Sequence, residues 1–380
     1  MALKKRTCPA CGKEKTFRTD VKTCGCQGTN PRLGGGRPEV EKIPVDTTEI
    51  ELQKLRDKRE SRESENKTLR ERVLLLEREN EVFKSLQDTP PEVTHIEPKV
   101  ASGKSESAMI VVASDWHGEE TVLPEQVSGK NEYNLDVFEQ RFRRWLHGTM
   151  AWWKIASRDT TIKTIVLGLL GDFISGSIHE DIAEGNSLGP ADAIYLAYSK
   201  LVSAIKFLLA NTPKDVEFII PCHSGNHGRM TKDQRIATEA GNSLEYFMYL
   251  MLRDYFQDEK RLKFIVQPGY HSYVSFFEGA YEIRFHHGHQ INYQGGVGGI
   301  TIPVNKAIAQ WNKARTVDLD VFGHFHTKFD GGNFICNGSM IGYNAYAVSI
   351  KASFEQPAQQ LFLVNREYAA KTLVAPIFLT

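Results

Sequence analysis

The run Ile165-Val166-Leu167-Gly168-Leu169-Leu170 is apolar, begins with β-branched residues and stops at Gly171-Asp172. Such a run fits a strand covered on both faces. Gly171 lets the backbone turn tightly, which leaves Asp172 at the strand's carboxyl end. In open α/β sheets that end is where ligands bind. A carboxylate there is costly unless something positive meets it, so the rest of the chain must supply or hold a cation.

The same pattern recurs along the chain. Met109–Ala113 leads into Ser114-Asp115-Trp116-His117-Gly118, and Val216–Pro221 into Cys222-His223-Ser224-Gly225-Asn226-His227-Gly228-Arg229. Ala280–Phe285 ends in His286-His287-Gly288-His289, and Leu319–Phe322 in Gly323-His324-Phe325-His326. Helices are expected over 135–158, 191–210, 238–256 and 304–314, with Trp145, Trp152 and Trp153 of the first as core. Short strands and turns are expected from there to Thr380. Strands alternating with helices imply a layered α/β domain.

One His beside a Gly would read as a satisfied core or surface residue. Repeated at strand end after strand end, Asp, Asn and His suit Mn, Fe, Zn or a similar divalent ion. The ligands exceed one tetrahedral site, so two metals sharing a carboxylate is the economical reading.

The motifs Asp115-Trp116-His117, Gly171-Asp172, Gly225-Asn226-His227, His287-Gly288 and Gly323-His324-Phe325-His326 stand in a telling order. In order and spacing they resemble the signature of the calcineurin-like metallophosphoesterases, over Ala108 to about Gly342. The resemblance implies a four-layer α/β/β/α sandwich. It implies a first metal held by Asp115, His117, Asp172 and His326. A second would be held by Asn226, His287 and His324, with Asp172 bridging. His227 would sit beside the phosphate as acid or transition-state stabiliser. Gly228 stands where an acid is common in that family, and His286 and His289 crowd His287. Manganese is the expected metal, with Fe, Zn or Mg as alternatives.

Two such ions, about 3.5–4 Å apart, polarise a phosphoryl group and generate a nucleophile near neutral pH. Arg229 could clamp a phosphate oxygen, or be an ordinary surface residue. His179 is a further candidate for substrate contact, and Cys222 and Cys336 read as buried small residues.

Ahead of this domain, Cys8-x-x-Cys11 and Cys24-x-Cys26 place four thiolates at zinc-ribbon spacing, which suits one structural zinc. A redox pair is the alternative. The segment resembles a zinc ribbon, and its surplus of Lys4, Lys5, Arg6, Lys13, Lys15, Arg18 and Lys22 over Glu14 and Asp20 would attract phosphate backbones. From Glu49 to Gln87 no Pro or Gly occurs. A heptad there puts Leu52, Arg59, Asn66, Val73 and Asn80 at a, and Leu55, Arg62, Leu69, Leu76 and Phe83 at d. The g–e′ pairs Lys58–Glu63, Glu65–Arg70, Arg72–Glu77 and Glu79–Lys84 are all attractive, which favours a parallel homodimer. The alternative is a lone helix whose charges pair along its own length. The expected organisation is a zinc ribbon over 1–28, a linker over 29–48, a coiled-coil helix over 49–88, a linker over 89–107 and a phosphoesterase domain over 108–380.

Lys+Arg and Asp+Glu both number 47, so net charge selects no partner. Met1-Ala2-Leu3-Lys4-Lys5-Arg6 has no apolar core after it, and no apolar run approaches membrane-spanning length. A cytoplasmic protein with reduced thiols and no membrane contact is expected. The basic cysteine module and dimerising helix point to a DNA phosphodiesterase, similar to phage-encoded or bacterial repair-exonuclease types. A phosphatase or phosphodiesterase for a small molecule or phosphoprotein is the alternative, and a non-catalytic assembly protein a third.

Overall fold

A computed structural model of the chain describes residues 4–7, 14–17, 47–88, 105–178, 183–293 and 298–380. Cys8, Cys11, Cys24 and Cys26, most of both expected linkers, and His179 lie outside the described residues. The chain divides into two compact units, Met1–Glu97 and Pro98–Thr380.

In the first unit, β1 (Lys4–Thr7) and β2 (Glu14–Phe17) pair antiparallel, Lys4 opposite Phe17 and Thr7 opposite Glu14. Helix α1 (Thr47–Asp88) runs unbroken for 42 residues. Leu52, Leu55, Leu69, Val73 and Leu76 of the expected seam are all more than half exposed on it. Arg59 and Glu63 pair one turn apart at 2.9 Å, the pairing along the helix that its polar first half allows.

The second unit holds two sheets. The larger is built from β3 (Ser105–Ala113), β4 (Thr160–Leu169), β5 (Glu217–Cys222), β6 (Leu262–Val266), β12 (Ala358–Asn365) and β13 (Ala370–Phe378), in the order β13-β12-β3-β4-β5-β6. The smaller holds β7 (Ser272–Phe276), β8 (Tyr281–Phe285), β9 (Leu319–Phe322), β10 (Phe329–Asp330) and β11 (Phe334–Cys336), in the order β10-β11-β9-β8-β7. The helices are α2 (Leu135–Ala156), α3 (Pro190–Asn211), α4 (Leu244–Tyr255), α5 (Thr301–Trp311) and the short α6 (Ala345–Ser349).

Alternation along β3 explains the layers. Met109, Val111 and Ala113 join a core with Trp145 of α2, Leu201 of α3 and Met248 of α4. Ala108, Ile110 and Val112 point the other way, onto Ile283, Phe285 and Val321 of the smaller sheet. Beyond that sheet, Val304 and Ile308 of α5 cover Phe322 and Phe334. The result is two sheets flanked by helices, a multilayer α/β sandwich. β3, β4 and β5 are mutually parallel, as are β8 and β9, so within each set the carboxyl ends gather at one edge.

Some expectations need correction. The tail is not made only of short strands and turns: β12 and β13 are long, and β12 adds antiparallel to β3. Helix α4 begins at Leu244, after a turn at Ala240–Asn242, because Ser243 caps it by accepting the Tyr246 N–H. Among the described residues, α3 is long and apolar enough to cross a membrane, with an 18-residue stretch at a mean hydropathy of 1.5. Its face of Ala193, Ala197, Leu201, Ala204, Ile205 and Leu208 is buried in the domain core, which accounts for that composition.

Candidate metal centre

The loops leaving β3, β4, β5, β8 and β9 meet in one place. Asp115, His117 and His326 bring their ligand atoms within 4.8 Å of one another, and Asp172, His287 and His324 form a second such group. In the first, Nε2 of His117 and of His326 lie 3.2 Å apart, with Oδ1 of Asp115 3.5 Å from the latter. In the second, His287 Nε2 is 3.0 Å from Asp172 Oδ2 and 3.2 Å from Asn226 Oδ1, which brings Asn226 into the group. Asp172 lies where the loops join. Its Oδ1 accepts the His227 N–H at 2.9 Å, and its carbonyl accepts the His117 N–H at 3.2 Å.

The backbone is strained where these side chains leave it. Asp115, His117, Asp172, His324 and His326 all adopt left-handed conformations, with φ from 48° to 68°. Such residues cost on the order of 1–3 kcal/mol each and gather at functional sites. The glycines of the second and third motifs exist for close approach. A Cβ on Gly171 would collide with the Gly225 backbone, and one on Gly225 with the Asp172 carboxylate.

Hydrogen bonds behind the ligands fix their tautomers. The Leu170 carbonyl can only accept, so His287 Nδ1 donates to it at 2.6 Å and Nε2 faces the site. Ser175 Oγ donates to the Glu120 carboxylate at 2.9 Å, so His117 Nδ1 donates to that oxygen, also at 2.9 Å. This again leaves Nε2 free to serve as a ligand atom, the arrangement by which outer partners orient metal-binding histidines. Asn344 closes the chain by donating to Glu120 at 2.8 Å. Asp115 is held by the Ser114 hydroxyl and by the His324 N–H at 3.0 and 3.1 Å.

In the second group an acid and an imidazole favour each other's charged forms. Burial opposes a charge on Asp172, but His287, His227 and His117 outweigh it and hold the carboxyl well below its usual range. Burial likewise opposes a proton on His287, yet the Asp172 carboxylate lifts the imidazole to about 10. Burial and the neighbouring His227 and His326 hold His117 far below its ordinary value, and burial with His287 does the same to His324. His117 and His324 are thus favoured in the neutral form whose lone pair a metal needs, whereas His287 would have to give up its Nε2 proton to bind one.

The remaining candidates separate by strand alternation. His286 points away from His287, against Asp320 at 3.4 Å and stacked on Phe322. Asp320 is also bound by the buried Arg284 at 2.7 and 2.9 Å. This cross-strand pair fixes the β8–β9 register that puts His287 and His324 side by side. His289 is held by Glu239 at 2.8 Å and Tyr270 at 2.9 Å, beside a cavity that His287 also lines. His227 rests its Nδ1 on the Ser175 carbonyl at 3.1 Å, with its ring 4.9 Å from that of His117. Arg229 spends its guanidinium on carbonyls of its own loop, Asn226 at 2.8 Å, Thr231 at 3.2 Å and Lys232 at 3.3 Å. Cys222 and Cys336 are buried, free thiols whose pKa burial raises.

Sequence reasoning missed Ser175, Glu120 and Glu245. The last had a readable signal: it is an acid on the helix face that also carries Met248, Tyr249 and Leu252, all buried.

Imidazole, carboxylate and amide donors converging at these spacings fit a pair of divalent ions of the Mn, Fe or Zn type. Comparison of the sequence with known protein families and with curated proteins finds no match.

Proposed function

We propose that this chain is a dinuclear-metal-dependent phosphoesterase of the calcineurin-like type, with the four-layer α/β/β/α sandwich of that family. Its proposed reaction is hydrolysis of phosphodiester bonds in DNA. The observation that carries the reading is the pair of ligand groups, Asp115/His117/His326 and Asp172/His287/His324, on adjoining strand ends of an α/β sandwich. The first ion would be held by Asp115, His117, His326 and Asp172, and the second by Asp172, Asn226, His287 and His324. When bound, such ions supply Lewis-acid polarisation of the phosphoryl group and a nucleophile at neutral pH.

The chain's own residues do the rest. Asp172 is the shared ligand, and its depressed pKa keeps it anionic across the working range. Ser175 orients two imidazoles, taking His117 on its hydroxyl and His227 on its carbonyl. That second contact aims His227 Nε2 away from Ser175, as the atom that meets the leaving oxygen and protonates it. Arg229 acts by holding the Asn226 carbonyl.

DNA is the proposed substrate because the first unit suits a polymeric phosphate. The segment with Cys8, Cys11, Cys24 and Cys26 would bind one structural zinc and present its basic residues. Helix α1 presents an apolar seam with no cover among the described residues, which a second copy would bury in a parallel coiled coil.

The test is purified protein with manganese on a chromogenic bis-ester, a mono-ester, and single- and double-stranded DNA. Salt-sensitive DNA cleavage with bis-ester turnover supports the proposal. Mono-ester turnover with no DNA cleavage would replace it by a small-molecule or phosphoprotein phosphatase.

A further inference from the structure

Glu245 sits in the first turn of α4 and is completely buried. A buried carboxylate is costly unless it is paired and hydrogen-bonded. Among the described residues, Glu245 has no cationic side chain in an ion pair. Its partners are backbone N–H groups: Phe173 on Oε1 at 2.6 Å, and Gly225 and Asp172 on Oε2 at 2.7 and 3.3 Å. One side chain thus grips the loop that carries Asp172 and the loop that carries Asn226 and His227. Its Oε2 alone bridges the two.

The surroundings are built for that carboxylate. A first-turn acid is favoured by the helix dipole. Leu244 N–H donates to the Gly228 carbonyl and Met230 N–H to the Asn242 carbonyl, both at 2.8 Å, so the start of α4 is bolted to the 225–230 loop. Gly228 leaves room for the side chain: a Cβ there would lie 2.7 Å from Glu245 Cγ and 3.0 Å from Cδ. Burial and the nearby Asp172 carboxylate push Glu245 up to about 8, against the Gly225 and Phe173 N–H groups that favour its charged form. Both of its oxygens accept from N–H groups, whereas a glutamine would turn an NH2 group onto one of them.

We propose that Glu245 is a positioning residue for the metal centre, fixing Asp172 against Asn226 so that the second ion binds. This rests on the dinuclear reading above. Of the proposed ligands, Glu245 holds the loops of two at the second ion, Asp172 and Asn226, but at the first only that of the shared Asp172, so its loss falls mainly on the second ion.

The experiment is calorimetric titration of manganese into the metal-free full-length protein and its Glu245→Gln, Glu245→Ala and Glu245→Asp variants. Manganese electron paramagnetic resonance reports whether the ions are exchange-coupled. Removing an outer-shell partner typically costs about 10- to 100-fold in metal affinity. We expect a loss of that size at the second site in the Gln and Ala variants, a first site within about threefold of wild type, and partial recovery in Glu245→Asp. The manganese needed for half-maximal activity should rise in parallel. Thermal melting by circular dichroism checks folding, and near-isosteric Glu245→Gln carries the test if Glu245→Ala does not fold. Two wild-type ions with unchanged affinities in a folded Glu245→Gln variant would overturn the role of Glu245 alone. A wild-type protein holding fewer than two ions would overturn the dinuclear reading and this role with it.

Discussion

Filling the second metal site should expel a proton, and the structure says from where. His287 Nδ1 donates to the Leu170 carbonyl, and Nε2 lies 3.0 Å from Asp172 Oδ2, where a second proton would be shared. Burial opposes that second proton, but Asp172 holds the imidazole at about 10. A metal needs the lone pair that this proton occupies. With a pKa near 10, about 99% of the rings are protonated at pH 8, so binding there should release about one proton per second-site ion. Below that pKa the apparent affinity should fall about tenfold per pH unit. The stability of the metal-free protein has the matching signs. The raised pKa of His287 stabilises the fold below its ordinary value of about 6.5, and that contribution is lost as pH climbs through about 10. The depressed pKa of Asp172 stabilises the fold above the ordinary carboxylate range, and that contribution is lost as pH falls through its folded value. Manganese titrations in buffers of different ionisation enthalpy measure the released proton directly. Affinity independent of pH from 7 to 9, with no proton released, would refute the ion-pair account of the empty site.

Four further outcomes are expected. Asp172→Asn should lose hydrolysis and the second ion while circular dichroism shows a folded domain; retention of both ions with wild-type rates would contradict a shared ligand. His227→Ala should cost about 10²–10⁴ in rate, as loss of a general acid does, and metal analysis should find its ions unchanged. Replacing Leu69, Val73 and Leu76 with Glu should give a monomer by sedimentation that still turns over a small bis-ester; a wild-type chain already monomeric at micromolar concentration would leave α1 a lone helix. Cys8→Ser with Cys11→Ser should remove one zinc and weaken DNA binding, and unchanged DNA affinity would detach that segment from substrate.

The two groups were legible because their residues sit in short loops directly after apolar runs, most of them beside a glycine. The sequence selects His287 by the Gly288 beside it, and the strand places His286 on the opposite face, against Asp320. What lay beyond reading was set by distant pairing. β12 joins the larger sheet beside β3, with Leu361 opposite Val111, and no local pattern announces a partner so far back in sequence. Glu245 finds its acceptor role through N–H groups 72, 73 and 20 residues away. The strain at Asp115, His117, Asp172, His324 and His326 is likewise not legible in residue type, because Asp and His enter left-handed backbone more often than most residues yet still do so only rarely.

The central claim is a pair of ions bridged by Asp172, and anomalous diffraction from crystals grown with manganese tests it most directly. Two peaks are predicted, one among Asp115, His117 and His326 and the other among Asn226, His287 and His324, with Asp172 in contact with both. A single peak, or two that Asp172 does not join, would contradict it.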